Sequence, residues 1–379
     1  MQVCGVICEY NPFHNGHRYQ LSRARELSQA DFIVCAMSGP FVQRGDAAVC
    51  DKWTRAQMAL DGGADLVLEL PAAFAVRPAQ DFAMGGAALL NGLGVVTHLS
   101  FGAEDDDLAR LYRFAAPETP EESERIRQHL DEGLSHPAAR AKALGEDMPP
   151  NVTLAVEYIR AIQKLGSTMQ PVPVKRDYSH HDETAHAMAS ATAIRLQLAQ
   201  GNTDLAHAMP PQALQLLNAS LPSPLPSLSR FSDILMYKLR TADPAALREA
   251  YAIPEGLEHR LCAEAVKHCH VDDLLTAVKC KRYPMARLRR LMTQLLLNMT
   301  DDLLQQNLLP DYARVLGFKK SASPLLRAIK DNGTLPLITK VADAAPSPLL
   351  SLDLQAQNIW DLAAGNPAHR DLTERIRIL

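Results

Sequence analysis

The sequence predicts an α/β protein: a parallel-sheet N-terminal domain followed by a mostly α-helical C-terminal region. Three observations carry this. Short apolar runs alternate with helical patterns through the first hundred residues, as in a parallel sheet covered on both faces. A Pro/Ser-rich stretch, NASLPSPLPSLS at 218–229, reads as linker. Beyond it, apolar residues recur at helical spacing.

In chain order, Val3-Cys4-Gly5-Val6-Ile7-Cys8 reads as a buried strand, broken at Asn11-Pro12. His14-Asn15-Gly16-His17 follows, and then a helical pattern through Leu21, Ala24 and Leu27. Asp31–Met37 is a second strand; its loop runs from Ser38-Gly39-Pro40 through Phe41, Gln43, Arg44, Gly45 and Asp46. A helix from Lys52 to Asp61 is closed by Gly62-Gly63. Asp65–Leu70 is the third strand, 79–91 a helix, and Val95–Phe101 the fourth strand. The acidic, helical residues 104–146 read as an insertion. Asn151 opens a helix through Val156, Ile159 and Ile162; Val172–Val174 is a fifth strand leading into Arg176. His180-His181-Asp182-Glu183 reads as a solvated loop rather than a metal site, because adjacent histidines on a loop point in different directions. Ser190 starts a helix running to Gln200. The expected division is a nucleotide-binding unit at 1–203, a linker at 204–229 and a helical region at 230–379.

Composition sets limits. A formal net charge of −4 gives no global basic field, so any nucleic-acid surface must be local. Cys4, Cys8 and Cys35 lie inside apolar runs, which suits a reducing, cytoplasmic setting. No signal peptide or membrane span is expected, since no long apolar run occurs. Cys262, His268, Cys269, His270 and Cys280 match no closed four-ligand zinc spacing, so no metal site is expected there.

In parallel sheets ligands bind beyond the carboxyl ends of the strands. The loops at Asn11–His17, Ser38–Arg44 and Gly102–Glu104 should therefore line one crevice. The HxGH turn opens a helix, whose unpaired N–H groups and positive dipole end suit a phosphate. His14 and His17, three apart, share a face, and Gly16 should leave room for a ligand. At the second helix start, Ser190 and Thr192 are cap or first-turn residues and Arg195 lies one turn in. Hydroxyls, N–H groups and a guanidinium there can hold a triphosphate tail, with magnesium expected to bridge the phosphates. The plainer reading is two capped helices with solvated side chains.

One stretch is locally basic: Lys279, Lys281, Arg282, Tyr283, Arg287, Arg289 and Arg290, with Lys319, Lys320 and Arg327 extending it. Tyr283 among the cations allows base stacking as well as phosphate contact, which points to RNA. Its distance in sequence from the HxGH turn predicts a separate surface with no part in nucleotide chemistry.

The HxGH turn and the Ser190–Arg195 pattern resemble the two signatures of the nucleotidyltransferase superfamily, which includes the class I tRNA synthetases. That resemblance implies a Rossmann-like domain whose histidines, here His14 and His17, stabilise the α-phosphate during adenylyl transfer. Over nearly the whole chain the sequence is similar to the bacterial tRNA(Met) cytidine acetate ligases. The resemblance rests on EYNPFHNGH at 9–17, Met37–Gly39, Gln43–Gly45, Asp51–Arg55, Asp65–Pro71, Leu99–Gly102, Ser190–Arg195 and Lys281–Tyr283. It implies activation of acetate by ATP to acetyl-adenylate, then acetyl transfer to N4 of the wobble cytidine of elongator tRNA(Met). On that resemblance His14, His17 and Arg195 are catalytic. Nucleotide contacts fall on Ile7, Cys8, Glu9, Tyr10, Asn11, Pro12, Phe13, His14, Asn15, Gly16, His17, Arg18, Tyr19 and Gln20, with Gly102, Asn151, Arg176, Ser190, Thr192 and Arg195. The tRNA contacts fall on Lys281, Arg282, Tyr283, Arg287 and Arg290. Pro40, Val152-Thr153 and Asp46-Ala47 depart from the family pattern. No protein partner is evident. The residues by themselves reach adenylyl transfer but not acetate. A small-molecule adenylyltransferase and an RNA-binding protein with a vestigial nucleotide site remain the alternatives.

Overall fold

In the computed structural model, which describes residues 1–104, 106–134, 136–146, 148–175 and 190–379, Val3–Cys8 (β1) lies near the middle of the main sheet. The other strands are Phe32–Ser38 (β2), Phe41–Val42 (β3), Asp46–Ala47 (β4), Leu66–Leu70 (β5), His98–Ala103 (β6), Gln170–Lys175 (β7), Ala313–Phe318 (β8), Leu337–Ile338 (β9) and Arg377–Ile378 (β10). Among the described residues the sheet order is β10-β8-β5-β2-β1-β6-β7, with β9 on β8; β3 and β4 form a separate antiparallel ribbon. The run from β5 to β7 is parallel, so its carboxyl ends share one edge.

Strand periodicity divides the core in two. Val3 and Ile7 of β1, with Val34, Ala36 and Leu68, face one side. There they meet the helices Ala79–Gly92, Pro150–Lys164 and Pro348–Ala364. Cys4, Val6, Cys8, Ile33, Cys35 and Met37 face the other side, against the helices Asn15–Ser28, Lys52–Asp61 and Ala191–Ala199. Gly5 lets a helix come close: a Cβ there would lie 2.6 Å from Leu90 Cδ1. The strand cysteines are buried and unbridged. The expected insertion consists of the helices Leu108–Ala115, Pro120–Asp131 and His136–Leu144.

Two features add to the expected organisation. Within the expected linker, Pro211–Ser220 is a helix that buries Ala213 and Leu217 in the second core. The mostly helical C-terminal region also contributes strands to the sheet. β8 pairs antiparallel with β5, and β9 and β10 pair parallel with β8. A buried ion cluster explains why β8 escapes a hydropathy reading. Arg314, the second residue of the strand, pairs with Glu69 at 2.9 Å and Asp371 at 2.6 Å, and Lys52 reaches both carboxylates at 2.8 Å. All four side chains are almost wholly buried, and each charge is matched.

Among the described residues, no helix is long and apolar enough to cross a membrane. Arg176 and the loop of His180, His181, Asp182 and Glu183 lie outside the described residues.

Candidate active site

β1 delivers Glu9 to the crevice edge, and the turn after it is held from several sides. Arg55, fully buried, donates to the carbonyls of Glu9 (2.7 Å), Ser38 (2.9 Å) and Gly39. It thereby ties the loop after β1 to the loop after β2. Burial lowers the proton affinity of this guanidinium, opposed by the nearby anions. Asn11 accepts from the Val49 N–H at 2.9 Å through its side chain and from Arg195 at 2.8 Å through its carbonyl.

His14 is the N-cap of the helix Asn15–Ser28. Its Nδ1 accepts the Gly16 N–H at 3.0 Å, and the His14 N–H donates to His17 Nδ1 at 3.3 Å. The pair forms a capping box built from two histidines. The rings stack with centroids 3.7 Å apart. With both Nδ1 atoms accepting, the hydrogen-bond network assigns the ring hydrogens to Nε2. Two imidazole donors thus sit at a helix N-terminus, an arrangement suited to charge developing on a phosphate. Gly16 lines the smaller cavity and has a second reason to lack a side chain. A Cβ there would lie 2.9 Å from His14 Cε1, crowding the capping ring.

The second signature closes the site. Ser190 caps the helix Ala191–Ala199 by accepting the Ala193 N–H at 3.2 Å. Arg195 donates to Thr192 Oγ1 at 3.1 Å. Burial depresses the Arg195 proton affinity, and Glu9 counters it. Both signatures line one cavity of about 520 Å³, together with Glu9, Asn11, Tyr19, Gln20, Gly102 and Asn151. Asn151 also donates to Glu104, joining the helix Pro150–Lys164 to the end of β6.

Not every segment residue reaches the crevice. Ile7 and Cys8 line a larger adjoining cavity of about 2120 Å³, with Phe101 and Tyr158. Tyr10, Pro12, Phe13, Asn15 and Arg18 are not among the described residues lining either cavity. Tyr10 and Phe13 are core side chains, stacked edge-on at 4.9 Å. Asn15 turns away, bonding the carbonyls of His207 and Ala208. Arg44, from a loop expected to line the crevice, does line the smaller cavity; sequence reasoning missed Lys175 and Asp46 there, and had Arg289 on a separate surface. Lys175 ends β7, and the carboxyl-end rule could have found it.

The basic stretch is not a separate surface. The helix Met285–Leu296 begins at the crevice: Met285, Ala286 and Arg289 line the smaller cavity, and Arg282, Arg287 and Arg290 the larger. It docks on the β3–β4 ribbon. Arg289 pairs with Asp46 at 2.6 Å and Asp272 at 3.2 Å, and Arg290 donates to the Gln43 carbonyl at 3.4 Å. Gly45, at φ +74°, lies where any Cβ would overlap the backbone of Arg289 and Arg290. Tyr283 is corrected as a stacking platform: its ring is buried, with Arg282 and Arg287 each 5.6 Å from its centroid. Lys279, Lys281, Arg282 and Arg287 are the exposed cations of this group. Lys319 and Lys320 do not extend it. Because β8 runs antiparallel to β5, Phe318 pairs with Leu66 and the lysines fall at the opposite edge of the sheet.

Among the described residues, no three His, Cys, Asp or Glu side chains gather to hold a metal ion. Asp46, a carboxylate of the smaller cavity, is already paired with Arg289.

The HIGH Nucleotidyl Transferase family model matches residues 1–375. The chain is 35% identical to the tRNA(Met) cytidine acetate ligase of Clostridium perfringens, over 95% of each chain. It is 36% identical to that of Thermoanaerobacter sp. (strain X514), covering 97% of this chain and 96% of the relative. Among solved structures, Thermotoga maritima TmcAL bound with alpha-thio ATP superposes with a TM-score of 0.91 at 30% identity, each chain covered completely.

Proposed function

This chain belongs to the HIGH nucleotidyl transferase family, with tRNA(Met) cytidine acetate ligases as full-length relatives, and we propose that it is such a ligase itself. It would activate acetate with ATP and acetylate N4 of the wobble cytidine of elongator tRNA(Met). The supporting observation is the convergence of the HxGH turn and the Ser190–Arg195 helix start on one cavity. In the first step an acetate oxygen attacks the α-phosphorus, and pyrophosphate leaves with the electrons of the broken P–O bond. The Nε2–H groups of His14 and His17 would donate to the non-bridging α-oxygens and hold their charge in the transition state. Arg195 would face the departing pyrophosphate. Magnesium would come with the triphosphate and neutralise its phosphates as pyrophosphate departs. In the second step the cytidine amine attacks the acetyl carbon and AMP leaves. Arg282 and Arg287, exposed at the larger cavity, are suited to the tRNA backbone.

Acetate-dependent ATP–pyrophosphate exchange, together with incorporation of labelled acetate into tRNA(Met), tests this reading. Exchange that ignores acetate, or label that stays out of RNA, would refute it.

A further inference from the structure

Acetyl transfer needs a proton acceptor that the adenylation groups do not supply. As N4 of cytidine bonds to the acetyl carbon, the C–O bond to phosphate breaks and its electron pair leaves on AMP. One N4 proton must then go to a base. The Nδ1 atoms of His14 and His17 already accept backbone N–H groups, so either ring could take a proton there only by breaking its cap. Of the other carboxylates lining the cavities, Asp46 is held by Arg289, Asp81 by Arg77, and Glu146 by Arg110 and Arg113, while Asp131 and Asp301 line the larger cavity alone.

Glu9 differs from these carboxylates. It lines both cavities, at the seam where they share His17, Gln20, Arg44 and Gly102. Its Oε1 accepts the Gln43 N–H at 2.7 Å, and its carbonyl is fixed by Arg55 at 2.7 Å. No other hydrogen bond or ion pair to this carboxylate is present among the described residues. One oxygen anchors the group and leaves Oε2 for a substrate. We propose that Glu9 is the general base of acetyl transfer, taking the N4 proton on Oε2 as the acetyl group leaves phosphate for cytidine. This role rests on the function proposed above. Burial raises the carboxyl's proton affinity, while the Gln43 N–H and the charges of Arg195, Arg44 and Arg55 pull the other way. A base raised toward the working pH accepts a proton more readily.

The test mixes synthetic acetyl-adenylate and tRNA(Met) with excess full-length protein and follows single-turnover transfer across pH. Acetate-dependent exchange is measured on the same preparations. Glu9→Gln can still accept the Gln43 N–H, and should slow transfer by about 10²-fold and abolish the acidic limb of its pH profile. The ratio of transfer to exchange should fall by about tenfold or more, separating this role from nucleotide binding. Glu9→Asp should keep an acidic limb and recover part of the rate. Should the Gln variant fail to fold, the Asp variant decides: a limb at an unshifted pH and a parental rate overturn the proposal. Transfer by the Gln variant within about threefold of the parent, limb intact, also overturns it and assigns the proton to the departing phosphate. A parent protein that exchanges but transfers nothing to RNA removes the function itself, and this role with it.

Discussion

At the residue scale, the two histidines do two things at once. Each Nδ1 accepts a backbone N–H at the helix start, which fixes the ring and sends the hydrogen to Nε2. Orientation and donor placement therefore come from the same bonds, and the spacing in HxGH follows from the geometry of a capping box. His17→Ala should cut acetate-dependent exchange by roughly 10²-fold or more with a smaller loss of ATP affinity, because the donor is worth most when charge builds on the α-phosphate. An unimpaired exchange rate in the folded variant would remove His17 from the chemistry. Gly16→Ala makes a sharper test of the cap. The new Cβ would lie 2.9 Å from His14 Cε1, so the ring must shift from its capping position. Loss of an N-cap costs about 1 kcal/mol. The expected result is a modest fall in thermal midpoint beside a large fall in exchange rate. A rate unchanged at the new midpoint would show that the cap and the chemistry are separable. The motif and its strand-to-helix setting were legible in the sequence. What was not legible is which neighbours of the histidines face inward: Tyr10 and Phe13 read like site residues but pack in the core.

At the scale of elements, the main finding is that the helix Met285–Leu296 sits on the β3–β4 ribbon. Nearly 250 residues of sequence separation hid this, because Arg289–Asp46 and Arg290–Gln43 are contacts of tertiary structure with no local signature. The strand–helix alternation of the first 103 residues was legible because parallel strands buried on both faces are continuously apolar. β8 was not, because its Arg314 makes a buried strand look like surface. The docking separates two kinds of basic residue. Lys281, Arg282 and Arg287 are exposed, and replacing all three by Ala should weaken tRNA binding and flatten its salt dependence. Filter binding across salt concentrations measures both, and an unchanged slope would move the RNA site elsewhere. Gly45→Ala should behave differently. Its positive φ and the backbone of Arg289 and Arg290 leave no place for a methyl group, so ribbon and helix must part. Exchange and tRNA acetylation should then fall together, since one docked unit lines both cavities. Loss of acetylation alone would mean that the ribbon does not shape the nucleotide site.

At the scale of the whole molecule, the C-terminal residues complete the sheet that carries the N-terminal signatures. β8 covers the edge of β5, and Trp360 donates to the Ala48 carbonyl at 2.7 Å across more than 300 residues. The buried cluster of Lys52, Glu69, Arg314 and Asp371 fastens this closure. Removing one member of such a cluster leaves an unmatched buried charge and costs about 3–5 kcal/mol. Arg314→Met should therefore lower stability to denaturant by about that amount, and a midpoint near the parent's would mean that the cluster relaxes without it. Asp353 adds a pH dependence to the same region. It accepts from Tyr312 and from the Ala72 N–H at 2.7 Å, and burial, then the nearby Glu69, pushes its carboxyl up to about 8. In the unfolded chain the same carboxyl ionises near pH 4. Between these values the folded protein holds a proton that the unfolded chain has lost, so this group's contribution to stability declines as pH rises through that window. Asp353→Asn keeps an amide oxygen for the Ala72 N–H but does not titrate. Urea unfolding of parent and variant at about pH 5 and about pH 8 isolates the effect, since every other titrating group is common to both. The parent should lose more stability than the variant over that interval. Equal losses would show that Asp353 is ionised in the folded protein, and the cluster would then carry an extra negative charge.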